Sequence, residues 1–321
     1  MKLWHHIDSV IEEEEMDINA IYTFYSKRAL QHCLISLGIF ALTLILMSCL
    51  FGGAQAHSAE AQKYNRIVSI GGSLTEIIYA LGEQDRLIAR DTTSVFPREA
   101  FSLPDVGYIR QLSPEGVLSV DPDLIIALEG SGPPETIETL KEADVPIVFV
   151  PEGYTDQNIR EKILAVGKAI DSEEKAKALA TKTAFDLSGI AEQVQATDKK
   201  KKVLFILSMQ GGKVLASGRN TAADGIIKLA GGKNIISSFD GYRQISDEAV
   251  ISEQPDVILM MKPRGNHGSS DEEVLSHPAI ATTPAGKSRN LVRMDGLYML
   301  GFGPRTAGAV SELFQTLISI D

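Results

Sequence analysis

The sequence predicts an α/β fold of two similar lobes with mainly parallel central sheets, joined by one long helix, with a ligand cleft between the lobes. The first observation is a repeat: residues 113–125 align without a gap to residues 246–258. Each copy follows a related tag, residues 107–112 and residues 241–245, and the tags differ in length by one residue. The second observation is that short apolar runs alternate with helical patterns, which is typical of βα units. A duplicated unit in a chain of 321 residues indicates two lobes.

The apolar runs predict strands in both halves of the chain. Because these runs alternate with helical segments, we expect the strands to lie side by side in parallel sheets. The predicted strands are residues 66–70, 87–89, 124–127 and 147–150 in the first half, and residues 203–207, 257–261 and 291–294 in the second.

The first strand is followed by Gly71-Gly72-Ser73, where Ser73 and Glu76 fit a capping box that opens a helix. A helix N-terminus of this kind can bind an anion, and a tight turn between strand and helix explains the same residues. The second half repeats this pattern more loosely: Gly211-Gly212 follow the strand, and Thr221 begins a helix. The repeat therefore extends to whole lobes.

A long helix is predicted between the lobes. Asp171-Ser172 and the two following glutamates suit a helix start, and helix-forming residues continue to about residue 197. A helix of about 25 residues is roughly 37 Å long and can connect two lobes as one rod. The predicted division of the chain is a signal peptide of residues 1–56, a first lobe of residues 57–171, an interlobe helix of residues 172–197 and a second lobe of residues 198–321.

The N-terminal segment predicts export. Lys27-Arg28 precede an apolar run over residues 34–51, and residues 54–56 form a small-x-small cleavage pattern. The acidic first residues do not suit a signal peptide, which suggests that translation begins at Met16. An apolar run of about 18 residues can also span a bilayer, and Cys49 ends an imperfect lipoprotein box. We expect cleavage and a periplasmic protein, with a lipid anchor at Cys49 as the alternative.

Composition excludes several classes of function. The net charge of −11 argues against a nucleic-acid partner and against an anionic membrane surface. The chain has no nucleophile elbow, P-loop or zinc-protease motif. Both cysteines, Cys33 and Cys49, lie in the leader, so the mature chain has no thiol chemistry and no disulfide. We therefore predict no catalysed reaction.

Four segments resemble the periplasmic hemin-binding proteins of heme ABC importers, within the helical-backbone class of substrate-binding proteins. The resemblance covers nearly all of residues 64–320. The repeated motif that ends in Pro-Asp is shared with the wider class, which also carries siderophores and cobalamin. The Gly-Tyr-x-Arg tag and the Leu-Gly-Phe-Gly-Pro-Arg run are typical of the hemin branch. The four segments are residues 91–94, 103–115, 218–224 and 294–306.

The resemblance implies that Tyr108 is the axial ligand of a ferric heme iron. A phenolate is a hard anionic donor that suits ferric iron, and tyrosine is an established heme ligand. The ferric centre and a nearby cation both favour the ionised phenol. Arg110 can supply that cation if the segment is extended and the two side chains share one face. The residues alone leave open that Tyr108 is a packing tyrosine and that the arginine is solvated.

The second lobe holds further candidates for the facing side of the cleft. Arg264, just after the predicted strand 257–261, is a candidate for the heme propionates or the ligand phenolate, and we expect Tyr242 and Arg243 to line the facing lobe. Some relatives have a histidine after the first strand of this lobe and can hold a second heme. This chain has Met209 there, which is either a soft thioether ligand or core filler.

Glu115 and Glu248 occupy equivalent positions at the start of the repeated helix. In the wider class a matched pair of surface glutamates docks onto arginines of the permease, while acids in a first turn also complement the helix dipole. The sequence thus predicts a monomeric periplasmic protein that captures ferric heme and delivers it to an inner-membrane ABC permease and its ATPase. The alternative ligands are a ferric siderophore and cobalamin. An enzyme acting on heme and a membrane-tethered sensor are the alternatives from other classes.

Overall fold

The computed structural model describes residues 64–197, 200–263 and 268–320. The predicted signal peptide, Met16, Cys49 and Arg264 lie outside these ranges. Among the described helices, none has the length and apolar content needed to cross a membrane. The described residues form one compact unit.

The first lobe is built on a four-stranded parallel sheet in the order β2-β1-β5-β6. A separate pair of two-residue strands, β3 and β4, forms a hairpin outside this sheet. Its elements are β1 (Ile67–Ile70), α1 (Gly72–Ala80), β2 (Leu87–Arg90), β3 (Gly107–Tyr108), β4 (Gln111–Leu112), α2 (Pro114–Leu118), β5 (Leu124–Leu128), α3 (Pro134–Glu142), β6 (Ile147–Val150) and α4 (Asp156–Ala169).

A helix of 23 residues, α5 (Glu173–Gln195), follows the first lobe. Its length is about 34 Å. Glu173 and Glu174 lie in its first turn, as predicted, but the Ser172 side chain makes no capping hydrogen bond. The predicted long helix therefore forms, and the acidic residues in its first turn complement the helix dipole.

The second lobe is built on a six-stranded sheet. Strands β7, β9, β11 and β12 are parallel, whereas β8 and β10 run antiparallel to their neighbours. Its elements are β7 (Lys202–Gln210), β8 (Lys213–Ser217), α6 (Ala222–Leu229), β9 (Lys233–Asn234), β10 (Tyr242–Ile245), α7 (Asp247–Glu253), β11 (Val257–Met261), α8 (Asp271–Leu275), α9 (Pro278–Ala281), α10 (Pro284–Lys287), β12 (Leu291–Met294), α11 (Gly296–Leu300) and α12 (Thr306–Ser319).

The predicted fold class is confirmed: two lobes with mainly parallel sheets are joined by a long helix. Gly211-Gly212 play a different part from Gly71-Gly72, however. With φ values of 55° and 77° they form the two-residue turn between β7 and β8, a backbone conformation that favours glycine. The predicted likeness of the two turns is therefore wrong, although Thr221 does cap α6 by accepting from the Asp224 amide at 3.0 Å.

The capping box predicted at Ser73 and Glu76 does not form. Gly71 is the N-cap, so Ser73 lies inside the helix. The free amides of the first turn find other acceptors: Gly71 donates to Asp91 Oδ1 and Gly72 donates to Thr93 Oγ1, both at 3.0 Å. Because the loop after β2 supplies these acceptors, the helix needs no cap from its own serine.

One continuous hydrophobic core joins the lobes. It contains buried residues of the first lobe, of α5, and of one face of the second sheet, among them Leu74, Ile163, Leu187, Phe205 and Leu313. A second cluster, which includes Leu204, Ile258 and Ile280, fills the other face of the second sheet. The shared core fixes the lobes against one another and thereby fixes the walls of the space between them.

Candidate functional site

A cavity of about 900 Å³ lies between the lobes, within the size range of small-molecule and cofactor sites. The first lobe contributes the start of α1 and the hairpin of β3 and β4. The second lobe contributes the turn after β7, the end of β11, and α11. The lining is part apolar and part charged, including Leu128, Leu297, Met260, Arg110 and Glu152.

The first tag, residues 107–112, folds as a tight hairpin that carries Tyr108 and Arg110 into the cavity. Tyr108 pairs with Gln111, and Ile109 and Arg110 form the two-residue turn. Gly107 has φ 106°, which favours glycine. The condition set for Arg110, an extended segment, is not met, because the chain turns at Ile109 and Arg110. Both side chains nevertheless line the cavity, and Tyr108 is 45% exposed.

Backbone hydrogen bonds hold this hairpin from both sides. The Thr92 amide donates to the Gly107 carbonyl, and the Gly132 amide donates to the Ile109 carbonyl, both at 2.9 Å. The Leu112 amide donates in turn to the Gly132 carbonyl at 2.9 Å. Ile109 is buried between the hairpin and the start of α1. Tyr108 therefore projects from a fixed support rather than from a free loop.

The segment 91–94 builds the support beneath the hairpin. Asp91 is fully buried and accepts hydrogen bonds from the Gly71 amide, from the Thr93 amide and hydroxyl, and from the Ser94 hydroxyl. A carboxylate with this many donors is satisfied without a counter-ion. Residues 91–94 thus position the cavity wall, although Asp91 itself does not line the cavity.

The second tag, residues 241–245, folds differently. It forms β10, in which Tyr242 pairs with Ser217 of β8. Neither Tyr242 nor Arg243 is among the residues that line the cavity. The Tyr242 ring packs edge-on against Phe205 with centroids 6.3 Å apart, and Arg243 lies over the Phe239 ring.

The phenol of Tyr242 lies close to the cavity without facing into it. Burial raises its pKa, against hydrogen bonds with the Thr221 hydroxyl and the Ala223 amide at the start of α6. The charge of Arg110 in the opposite lobe also lowers this pKa. The two tags therefore approach each other across the lobes, but only the first presents its side chains to the cavity.

Methionines form part of the second lobe's wall. Met209, Met260 and Met261 all line the cavity. Met209 is buried in the core of the second lobe, and its carbonyl accepts from the Ser269 hydroxyl at 3.0 Å. Its position is compatible with both alternatives predicted for it, a core contact and a thioether next to a bound ligand.

The model of the periplasmic binding protein family matches residues 67–297. This chain belongs to that family. A solved periplasmic heme-binding protein, BhuT, in complex with two hemes, is 36% identical with a TM-score of 0.74, and the match covers 79% of this chain and 98% of that one. An uncharacterized ABC transporter substrate-binding lipoprotein of Bacillus subtilis, YvrC, is 27% identical, covering 78% of this chain and 79% of its own length. A vitamin B12-binding protein of Vibrio parahaemolyticus is 26% identical, covering 79% and 90%.

Family membership makes this binding protein non-enzymatic and gives it an ABC transporter permease as its partner. It also accounts for the interlobe position of the cavity, since binding proteins of this architecture hold their ligand between lobes. The predicted resemblance is confirmed at the level of the family.

Two exposed glutamates of the binding protein lie at matching helix starts. Ser113 caps α2 by accepting from the Gly116 amide at 3.0 Å, and Ser246 caps α7 by accepting from the Ala249 amide at 3.3 Å. Glu115 and Glu248 lie in the first turns of these helices. Hydrogen bonds with its own backbone amide and with Ser246 lower the pKa of Glu248. Both carboxylates face solvent.

Sequence reasoning missed a group of charges behind the cavity wall. Lys162 on α4 is 1% exposed, and its Nζ donates to the Gly301 carbonyl at 3.4 Å. Glu76 on α1 is buried and accepts from Arg305 Nη2 at 2.8 Å and from the Arg305 amide at 3.1 Å. These contacts cross between the lobes. The signal for Lys162 was its place in the apolar stripe of α4, beside Ile163.

Proposed function

We propose that this protein captures ferric heme in the interlobe cavity and delivers it to an inner-membrane ABC importer. The observation that carries the proposal is the first hairpin, which projects an exposed Tyr108 and its neighbour Arg110 into a cavity with methionine and leucine walls. The comparison with BhuT, a heme-binding protein of the same fold at 36% identity, supports the proposal.

The chemistry of the hairpin suits a ferric porphyrin. Tyr108 supplies a phenolate oxygen as the axial ligand, and ferric iron favours such a hard anionic donor. The Arg110 guanidinium, carried on the same turn, stabilises the negative oxygen. Because the hairpin is held by backbone hydrogen bonds on both sides, the donor atom is positioned before the ligand arrives.

The remaining predicted contacts belong to the same proposal. Met209 provides an apolar, polarizable surface for the porphyrin. Arg264 is proposed for a propionate. Tyr242 acts from behind the lining, where the charge of Arg110 lowers its pKa, whereas Arg243 lies over the Phe239 ring.

Cobalamin is the second candidate ligand, and a ferric siderophore is the third. The observation that favours cobalamin is the relation to the vitamin B12-binding protein of Vibrio parahaemolyticus. Neither a siderophore nor cobalamin needs an anionic protein donor to its metal, so an exposed tyrosine on a fixed hairpin would have no ligating role.

A titration of the purified protein separates the two ligands. We expect hemin to give a shifted Soret band that saturates. Cyanocobalamin should give no saturable change in absorbance or in the resistance of the protein to trypsin. A hemin titration that stays linear, together with saturable cyanocobalamin binding, would overturn the proposal in favour of the second candidate.

Delivery requires contact with the permease, for which we propose Glu115 and Glu248. Both are exposed, and each lies in the first turn of the repeated helix of its lobe. Their equivalence across the repeat supports docking, because capping alone does not require acids at the same position in both lobes. The protein is proposed to act as a monomer in the periplasm after removal of the signal peptide.

A further inference from the structure

The start of α1 forms a bare stretch of backbone in the cavity wall. Gly71, Gly72 and Ser73 all line the cavity. A Cβ atom on Gly72 would lie 2.6 Å from the Thr93 carbonyl oxygen and 2.7 Å from Leu297 Cδ1. Only glycine fits this position, because the loop after β2 and α11 pack directly against the backbone there.

Ser73 carries two hydrogen-bond donors that the described residues leave unused. The residue as a whole is 2% exposed, and its Oγ is buried without a partner. The neighbouring amides are filled, since Gly71, Gly72 and Leu74 donate to Asp91, Thr93 and the Gly71 carbonyl. The Ser73 amide, at the second position of the helix, has no such acceptor within the described residues. Buried polar groups without partners are uncommon, so this pair calls for an acceptor.

The surrounding charges favour an anionic acceptor. Lys162 donates to the carbonyl of Gly301, which also lines the cavity, and it forms no ion pair within the described parts of the chain. Among the nearby acids, Asp91 is occupied by its own donors, and Glu76 is paired with Arg305. Glu152 also lines the cavity and partly offsets the positive charge of Lys162.

We infer that the amide and hydroxyl of Ser73 bind a carboxylate of the ligand, with the buried charge of Lys162 supporting it from behind. For the heme of the proposed function, on which this inference rests, the carboxylate is a propionate. The site combines an amide of the helix N-terminus that has no acceptor among the described residues with an unpartnered hydroxyl. Two such donors can recognise a carboxylate by short hydrogen bonds.

The test compares hemin with iron protoporphyrin dimethyl ester, which keeps the iron but has no carboxylate. Both are titrated in the same dilute detergent into the wild type, into Ser73→Ala, and into Ser119→Ala, an exposed serine outside the cavity. We expect Ser73→Ala to weaken hemin binding by about tenfold and to leave ester binding unchanged. Ser119→Ala should match the wild type. The ligand-free Ser73→Ala protein should melt at the same temperature as the wild type or higher, because it loses an unsatisfied hydroxyl.

Three results would overturn the carboxylate site without overturning the proposed function. Equal weakening of both porphyrins by Ser73→Ala, with a lower melting temperature, would show that Ser73 only packs. Unchanged hemin binding in the variant would show that its hydroxyl meets no carboxylate. A wild type that binds both porphyrins equally refutes this site alone, whereas one that binds neither refutes the proposed function and the site with it.

Discussion

At the scale of single residues, the buried ammonium of Lys162 behind the cavity wall makes the stability of the protein depend on pH. Lys162 lies in a stripe of α4 whose other buried members, such as Ile159, Ile163 and Val166, are apolar. Burial lowers its pKa to about 8, and the charges of Glu152 and Glu76 offset part of this effect. A buried ammonium with one long hydrogen bond costs free energy in the folded state.

The stability of the protein should therefore rise with pH near this lysine. Below pH 8 both states hold the proton, and the folded state bears the full cost of burial. Between about pH 8 and the unfolded value of 10.5, only the unfolded chain stays protonated, so the free energy of unfolding increases by up to about 3 kcal/mol. Lys162→Met should remove this increase.

Urea denaturation from pH 7 to 10 measures the effect as the difference between the wild type and Lys162→Met. Lys168→Met, an exposed lysine on the same helix, is the matched control and should keep the wild-type slope. Parallel curves for the wild type and Lys162→Met would show that Lys162 is not the group that titrates.

Residue roles were predictable from sequence only where a motif marked them. The Gly-Tyr-x-Arg tag identified Tyr108 and Arg110 as cavity residues, and both line it. The open donors of Ser73 were not predictable, because they depend on Asp91 and Thr93 capping α1 from a distant loop. A capping pattern read along one segment cannot include acceptors supplied by another.

At the scale of elements, a difference of one residue in length gives the two tags different secondary structures. The first tag has two residues between Tyr108 and Gln111, which is the length of a tight hairpin turn. The second tag lacks one of them and continues as a strand along β8. Tag similarity correctly indicated related lobes, but strand pairing decides which side chains face the cavity, and the sequence does not specify that partner.

The packing of α4 against α5 depends on a glycine. A methyl group on Gly167 would overlap the Ala176 side chain of α5. Gly189 lies on the exposed face of α5, and a methyl group there would meet no atom within 4 Å. Both residues are inside helices, so alanine improves helix propensity by about 1 kcal/mol at either site. Only at Gly167 does overpacking oppose that gain, by about 1–3 kcal/mol or more.

We therefore expect Gly189→Ala to stabilise the protein by about 0.5–1 kcal/mol and Gly167→Ala to destabilise it by up to about 2 kcal/mol, after the gain in helix propensity is subtracted from the cost of overpacking. Thermal melts of the two variants beside the wild type measure both signs at once. Stabilisation by both substitutions would contradict the close approach of α4 and α5.

At the scale of the whole molecule, the shared core allows the two lobes to present one surface to a partner. Residues of both lobes and of α5 belong to one buried cluster. Glu115 and Glu248 are therefore carried on lobes that are fixed against one another, which suits simultaneous contact with two sites on a permease.

Charge reversal tests this docking role separately from ligand binding. Glu115→Lys with Glu248→Lys should slow ligand transport into proteoliposomes that contain the cognate importer by about tenfold, because like charges then face the permease. Hemin affinity should stay at the wild-type value. Glu192→Lys, an exposed position on α5, is the control. Loss of hemin binding in the double variant, or a normal transport rate, would contradict the docking role.

The central claim is that the Tyr108 phenolate ligates ferric heme in the interlobe cavity. The most direct measurement is the absorption spectrum of the ferric heme complex of Tyr108→Phe, compared with the wild type and with Tyr79→Phe, a tyrosine that does not line the cavity. We expect the wild type and Tyr79→Phe to share one Soret maximum and a phenolate-to-iron charge-transfer band. Tyr108→Phe should lose that band and bind hemin about tenfold or more weakly. An unchanged spectrum and affinity in Tyr108→Phe would contradict the claim.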